Sequence, residues 1–365
     1  MTGHADRLAR LRLARSEGVG PRTWLQLMAH FGTAAEALEG LPEMSARGGR
    51  RRPLKPCPER DAEAELAALE GLGGKMVLLG GPDYPAALAA IPDPPPALSV
   101  LGDAARLAGP AVGMVGMRNG SAAGRKFARM LAGDLGAAGV VVVSGMARGI
   151  DAAAHEGSLA TGSVAVLAGG VDMPYPRENA GLYDRLISQG AVVSDQPLGT
   201  VATARHFPPR NRIVSGLSLG VAVVEANLRS GSLITARLAN EQGRIVFAVP
   251  GSPLDPRAAG PNDLLRQGAV LVENAEDVLA AIEGMARPAG QAPETAAEPD
   301  IPSSDEVDDS TRGIVADRLG HAPLTVDELV RECQLSAASV QTVLLELELA
   351  GRVSRQPGNR VSLIT

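Results

Sequence analysis

The sequence predicts an α/β fold: a doubly wound, Rossmann-like, parallel-type sheet, with a small all-α domain before it and a winged-helix domain after it. Three observations predict this. Between residues 109 and 283, short apolar runs alternate with helix-like segments. The runs are apolar at successive positions, as strands covered on both faces must be. The last 55 residues carry helix caps and a Gly-Asn turn in the order of a winged helix.

Residues 1–70 read as short helices. Trp24, Leu27, Met28 and Phe31 fall at i, i+3, i+4 and i+7, the buried stripe of a helix. Pro21 sits where a first helical turn tolerates proline. Gly18-Val19-Gly20 before it makes a tight hairpin. This pattern fits a helix-hairpin-helix unit, whose backbone amides can hold a DNA phosphate, or a small helical interaction domain. One G-x-G hairpin is weak support for the first, so the interaction domain is favoured. The stretch ARGGRRRPLKPCPER, residues 46–60, reads as a basic, solvated connector.

The α/β domain is placed at 71–286, with its core at 109–283. Its candidate strands are 111–115, 140–144, 163–167, 191–194, 219–224, 244–249 and 269–272. Ligands on such sheets bind at the carboxyl ends of the strands. Residues 287–310, rich in Pro, Ala, Glu, Asp and Ser, read as an acidic flexible linker. The winged-helix domain then takes 311–365. Its helices are 312–319, 326–333 capped by Thr325, and 337–350 capped by Ser336. Gly351 stops the last, and a hairpin at 352–364 turns at Gly358-Asn359. The third helix holds no base and carries Glu346 and Glu348, so protein contact suits it better than duplex reading.

Net charge is −6, yet residues 288–311 alone hold seven acids and no base, so the rest is close to neutral. There are 32 arginines and three lysines, so any cationic surface is made of arginine. Cys57 and Cys333 are far apart and imply no disulfide framework, which suits a reducing compartment. Charges interrupt the N-terminal stretch, and no run approaches the ~18 apolar residues of a membrane helix. A soluble cytoplasmic protein without membrane contact is expected.

VVVVSGMARGIDAAAHEGS, residues 140–158, reads as strand, glycine turn and helix, an arrangement that cradles phosphate in many proteins. A dinucleotide fold needs G-x-G-x-x-G. Here Gly116 and Gly120, and again Gly145 and Gly149, are spaced G-x-x-x-G. A P-loop needs a lysine that this chain does not have there. What remains is an anion site without a nucleotide motif. Arg118, Arg148 and Arg229 follow strand ends, HFPPRNRIVSG adds Arg210 and Arg212, and Ser230-Gly231-Ser232 opens a helix with free N–H groups. Arginines with backbone amides are a standard phosphate grip.

Catalytic readings fare worse. GLSLG, residues 216–220, matches a nucleophile elbow, but helix precedes and strand follows Ser218, the reverse of what an elbow needs. Asp151 and His155 share a helix face, where a salt bridge or a capping role outweighs acid/base work. The five histidines and two cysteines show no metal-ligand spacing. No catalytic residue, metal or cofactor is expected.

VGMRNGSAAG, VVVVSGMARGIDAAAH, FPPRNRIVSGLS, VVEANLRSGSLITARLANEQGR, FAVPGS and LLRQGAVLVENAEDV, in this order, resemble the DNA-processing protein A (DprA/Smf) family over residues 75–283. The resemblance implies a sterile-alpha-motif-like helical domain before the sheet and a non-enzymatic, dimeric single-stranded DNA-binding protein of natural transformation that loads RecA and displaces or bypasses single-strand binding protein. It implies a DNA pocket of Arg118, Phe207, Arg210, Asn211 and Arg212, with Gly116, Gly145, Arg148, Ser230, Gly231 and Ser232 along the same edge. Met117 stands where the family usually has a hydroxyl, and Pro209 where it often has a base, which implies weaker phosphate contact. A rival reading is a nucleoside-monophosphate glycosidic-bond hydrolase on a related fold, for which Glu225 is the only nearby carboxylate.

Overall fold

The structure, a computed structural model, describes residues 3–286, 307–356 and 358–364. The 287–306 part of the acidic linker lies outside the described residues. The chain divides into two compact units, 64–288 and a second made of 1–63 with 289–365.

In chain order the elements begin with helices α1 (His4–Arg15), α2 (Pro21–Phe31), α3 (Ala34–Arg47) and α4 (Glu59–Gly71). There follow β1 (Lys75–Leu78), α5 (Ala86–Ala89), β2 (Ala97–Gly102), β3 (Ala111–Val115), α6 (Ala122–Ala137), β4 (Val141–Ser144), α7 (Ile150–Ser158) and β5 (Ser163–Val166). Next are α8 (Ala180–Gln189), β6 (Ala191–Ser194), α9 (Phe207–Gly216), β7 (Gly220–Val223), α10 (Gly231–Glu241), β8 (Ile245–Ala248), α11 (Ala259–Arg266), β9 (Val270–Leu271) and α12 (Ala275–Ala286). The last are α13 (Asp309–Arg318), β10 (Leu324–Thr325), α14 (Val326–Cys333), α15 (Ala337–Leu349), β11 (Val353–Gln356) and β12 (Arg360–Leu363).

Unit 64–288 is built on one nine-stranded sheet in the order β1-β2-β6-β5-β4-β3-β7-β8-β9. From β6 to β9 every pairing is parallel. The central strands are four or five residues long and buried at every position, because helices cover both faces. Val112, Met114, Leu131, Leu135, Ile150, Phe247 and Val278 fill one of these layers. The chain steps outward from β3 through β4, β5 and β6, then returns to place β7 on the other side of β3. That reversal is a topological switch point, where open α/β sheets leave a crevice at the carboxyl strand ends.

The seven strands expected between 109 and 283 are all present, with ends shifted by a residue or two. Two more were missed. β1 and β2 extend the sheet antiparallel beyond β6. No crossover helix joins antiparallel neighbours, so the strand–helix alternation that reveals the rest is missing there. Only four-residue α5 lies between β1 and β2, in a proline-rich stretch.

In the other unit, α1 to α3 close over Leu11, Leu13, Trp24, Leu27 and Leu41. Trp24 and Leu27 of the expected stripe are fully enclosed, while Met28 and Phe31 are only half-buried. Thr325 caps α14 through a capping box with Glu328, and Ser336 caps α15. Val315, Leu329, Val340, Val343, Leu344 and Val361 form the winged-helix core.

Helix α15 is buried around most of its circumference, so it faces two partners at once. Its second partner is the N-terminal helical domain. Gly48, which ends α3, lies directly against the Glu346 carbonyl, where a Cβ would overlap it. Thr23 Oγ1 donates to Glu348 at 3.0 Å, and Arg352 donates to the Gly48 carbonyl at 3.4 Å. Glu346 pairs with Arg312 at 2.8 Å, and Glu348 with Arg355 of the wing at 3.0 Å. The acids that argued against duplex reading are therefore committed to the protein itself.

Candidate nucleic-acid interface

The glycine turns meet at the carboxyl edge of β3 and β4. Gly149 has a positive φ of 81°, and a Cβ there would overlap the Met117 carbonyl. The two turns are thus held face to face. Asp151, the second residue of α7, is buried, and its carboxylate accepts a hydrogen bond from Ala147 N at 3.4 Å. Burial raises its pKa, while the Arg210 cation and the backbone amides of the turns pull the other way. Gly116 is half-buried and Gly145 is buried in these turns, with the chain's own carboxylate beside them.

Arg210 and Arg212 also differ from expectation. Both lie inside, each 6% exposed. Arg210 donates to the Val166 carbonyl at 2.7 Å, and its guanidinium packs so closely on Gly145 that no Cβ fits. Burial pushes its pKa down to about 10, against the opposing pull of the Asp151 charge. Arg212 sits between Asp195 at 3.0 Å and Asp93. Helical periodicity explains the pair: α9 begins at Phe207, so residues 210 and 212 to 214 turn toward the sheet. An R-N-R pattern does not reveal which side of its helix is buried.

Other expected residues reach the surface. Arg118, on the β3–α6 loop, is exposed, and its guanidinium stands 5.3 Å from the Phe207 ring centroid. Phe207 opens α9, half-buried, with the Arg210 guanidinium 5.9 Å away on its protected side. Arg148 is exposed and pairs loosely with Glu178 at 3.5 Å. Asn211 is half-buried at the start of the second turn of α9. Gly231 is exposed, but the Ser230 and Ser232 hydroxyls bond each other at 2.7 Å across the start of α10, and Ser232 is buried. That helix start is capped by its own side chains.

Tyr175 was missed. It is 46% exposed, and its ring lies 5.7 Å from that of Phe207. The available signal was a tyrosine among prolines after a strand, in a chain with eight aromatics. Asn179, also missed, donates to the Met146 carbonyl at 2.9 Å and ties this loop to the β4 turn.

Glu225 follows β7 at the switch point. It accepts from Ser121 N at 2.8 Å and Ser121 Oγ at 2.6 Å, and so anchors the start of α6. His155 bonds Ser163 Oγ at 2.7 Å, and burial pushes its pKa down to about 3. Ser218 donates to Val214 at a helix end. Among the described residues no cluster of three or more His, Cys, Asp or Glu could hold a metal, and no helix is long and apolar enough to cross a membrane.

Sheet, switch point and edge define a Rossmann-like protein with a cationic, aromatic rim at the carboxyl strand ends. More particularly, the chain belongs to the DNA recombination-mediator protein A family, whose model matches residues 75–283. A DprA-like N-terminal HHH domain matches 4–68, and a DprA winged helix domain matches 291–359. The helix-hairpin-helix reading of the N-terminus, ranked second on sequence, is the one this match gives. Protein Smf of Escherichia coli is 40% identical over 84% of this chain and 82% of its own. DNA processing protein DprA of Bacillus subtilis is 45% identical over 58% of this chain and 73% of its own. The DprA structure from Streptococcus pneumoniae matches with a TM-score of 0.64 and 33% identity, over 77% of this chain and 98% of that one. DNA processing protein A from Helicobacter pylori gives 0.53 and 28%, over 58% and 96%.

Proposed function

We propose that this recombination mediator binds single-stranded DNA along the rim formed by Arg118, Arg148, Phe207 and Tyr175, with Asn211 and Gly231 beside it. The observation that carries the reading is the exposed Arg118 guanidinium 5.3 Å from a half-exposed Phe207, with a second aromatic ring 5.7 Å from Phe207. Cationic groups that follow the backbone, with rings on which bases stack, are how single strands are bound without sequence preference. The Helicobacter pylori relative is described by its single-stranded DNA binding mode, which supports the same reading here.

Binding is read as non-catalytic. Glu225, the carboxylate a glycosidic-bond hydrolase would need, is engaged on both oxygens by Ser121. The bound strand is handed to RecA, with single-strand binding protein as the competitor displaced or bypassed. The protein acts in the cytoplasm as a homodimer, which lengthens the tract held and raises avidity.

The test is a salt series of fluorescence anisotropy with labelled single strands and duplex controls, for wild type and Arg118→Ala. Single-strand selectivity that weakens with salt and is largely lost in the variant is expected. Equal binding by both proteins, or release of free base from nucleoside monophosphates, would overturn the reading. RecA filament assembly on strands precoated with single-strand binding protein tests the hand-over.

A further inference from the structure

We propose that Asn179 is a positioning residue for DNA binding: its hydrogen bond to the Met146 carbonyl fixes the β5–α8 loop so that Tyr175 stands beside Phe207 as a second stacking platform. This rests on the single-strand reading of the rim.

The loop that carries Tyr175 leaves β5 and enters α8, and both of its ends are tied down. At the near end, Tyr183 Oη donates to the Val171 carbonyl at 2.8 Å, and the Asp172 carboxylate accepts from Gly199 N at 2.9 Å. At the far end, Asn179 Nδ2 donates to the Met146 carbonyl at 2.9 Å. Residues 173–178 run between these anchors, and Tyr175 is among them, exposed. Its ring lies 5.7 Å from that of Phe207, tilted by 60°. Ordering an exposed loop costs conformational entropy, so a ring presented on it keeps its place only as well as the anchors hold.

The chemistry of Asn179 points to this task. It occupies the N-cap of α8, where an asparagine ordinarily turns its side-chain oxygen onto its own helix. Here the side chain makes no cap. Its amide instead reaches a carbonyl 33 positions away. Met146, fully buried, has a φ of 54°, the left-handed region that a non-glycine residue adopts at a cost. The Ile150 amide, one helical turn on, is directed to the Met117 carbonyl at 3.3 Å, which leaves the Met146 carbonyl to Asn179. The β4–α7 turn is thereby joined to the Arg118 loop on one side and to the Tyr175 loop on the other. A second link between turn and loop, Arg148 with Glu178 at 3.5 Å, is an exposed ion pair and contributes little.

Two experiments on the full chain decide the matter. Anisotropy titrations with a labelled single strand, at several salt concentrations, close a double-mutant cycle of Asn179→Ala and Tyr175→Leu. Loss of one stacking platform is worth about 5- to 150-fold in affinity, which is expected of Tyr175→Leu. Asn179→Ala should lose a large part of the same factor, on a line parallel to that of wild type because no charge is removed. The double variant should bind as Tyr175→Leu does alone. Losses that multiply in the double variant, or either single variant binding within twofold of wild type, would overturn the proposal. Hydrogen exchange over residues 172–179, read by mass spectrometry, tests the tether without DNA. Uptake should rise in Asn179→Ala and stay at the wild-type level in Tyr175→Leu. Unchanged uptake in Asn179→Ala would overturn the proposal whether or not DNA binds. If wild type binds no single strand, the reading of the rim fails, and the exchange measurement still decides the tether.

Discussion

Replacing Phe207 with leucine separates stacking from charge at the rim. The side chain keeps its apolar bulk at the start of α9 but loses the ring that faces Arg118 at 5.3 Å and Tyr175 at 5.7 Å. A base stacked on an aromatic side chain is worth about 1–3 kcal/mol, or roughly 5- to 150-fold in affinity. The lost cation–π contact adds about 0.5–1 kcal/mol of looser Arg118 placement. No charge is removed, so the number of counterions released on binding stays the same. Anisotropy titrations at five salt concentrations should therefore give a line parallel to that of wild type, displaced to weaker binding. Arg118→Ala, run beside it, should instead flatten the slope by about 0.7. Phe207→Leu binding within twofold of wild type at every salt concentration would refute the stacking role, and the rim would be a purely electrostatic one.

Three further outcomes are expected. Glu225→Ala leaves Ser121 N and Oγ without their acceptor, and hydrogen bonds to a charged group are worth about 1.5–3 kcal/mol, so the α/β unit should melt earlier in calorimetry. His155 is held neutral by burial, with its pKa near 3 against 6.5 when unfolded. Its contribution is present above pH 6.5 and is lost as pH falls towards 3, at up to about 1.4 kcal/mol per pH unit, so the fall in Tm between pH 6.5 and 4 should be shallower in His155→Gln. Gly48→Val forces a side chain into the Glu346 carbonyl, and limited proteolysis should then release the winged-helix domain from the helical domain sooner than in wild type.

The sequence alone determined the parallel sheet. Seven short apolar runs with helices between them have few ways to bury both faces, and the doubly wound sheet is the commonest. It determined the caps of α14 and α15, since Thr325 and Ser336 act on amides only three residues away. It also placed Arg118 and Phe207 among the site candidates. Tertiary structure decided the rest, wherever the partner of a group is remote in sequence. β1 and β2 join the sheet through antiparallel edges that leave no local period. Glycine turns that look open to phosphate hold a buried carboxylate beside them, because α7 turns Asp151 back onto the Ala147 amide. Arg210 and Arg212 read like Arg118 in a string of letters, yet the rotation of α9 about its axis turns them toward the sheet, Arg210 onto the Val166 carbonyl and Arg212 onto Asp195. Charge is written in the sequence. Whether a charge meets water, a ligand or the protein's own counter-ion is set by which face of an element the fold covers.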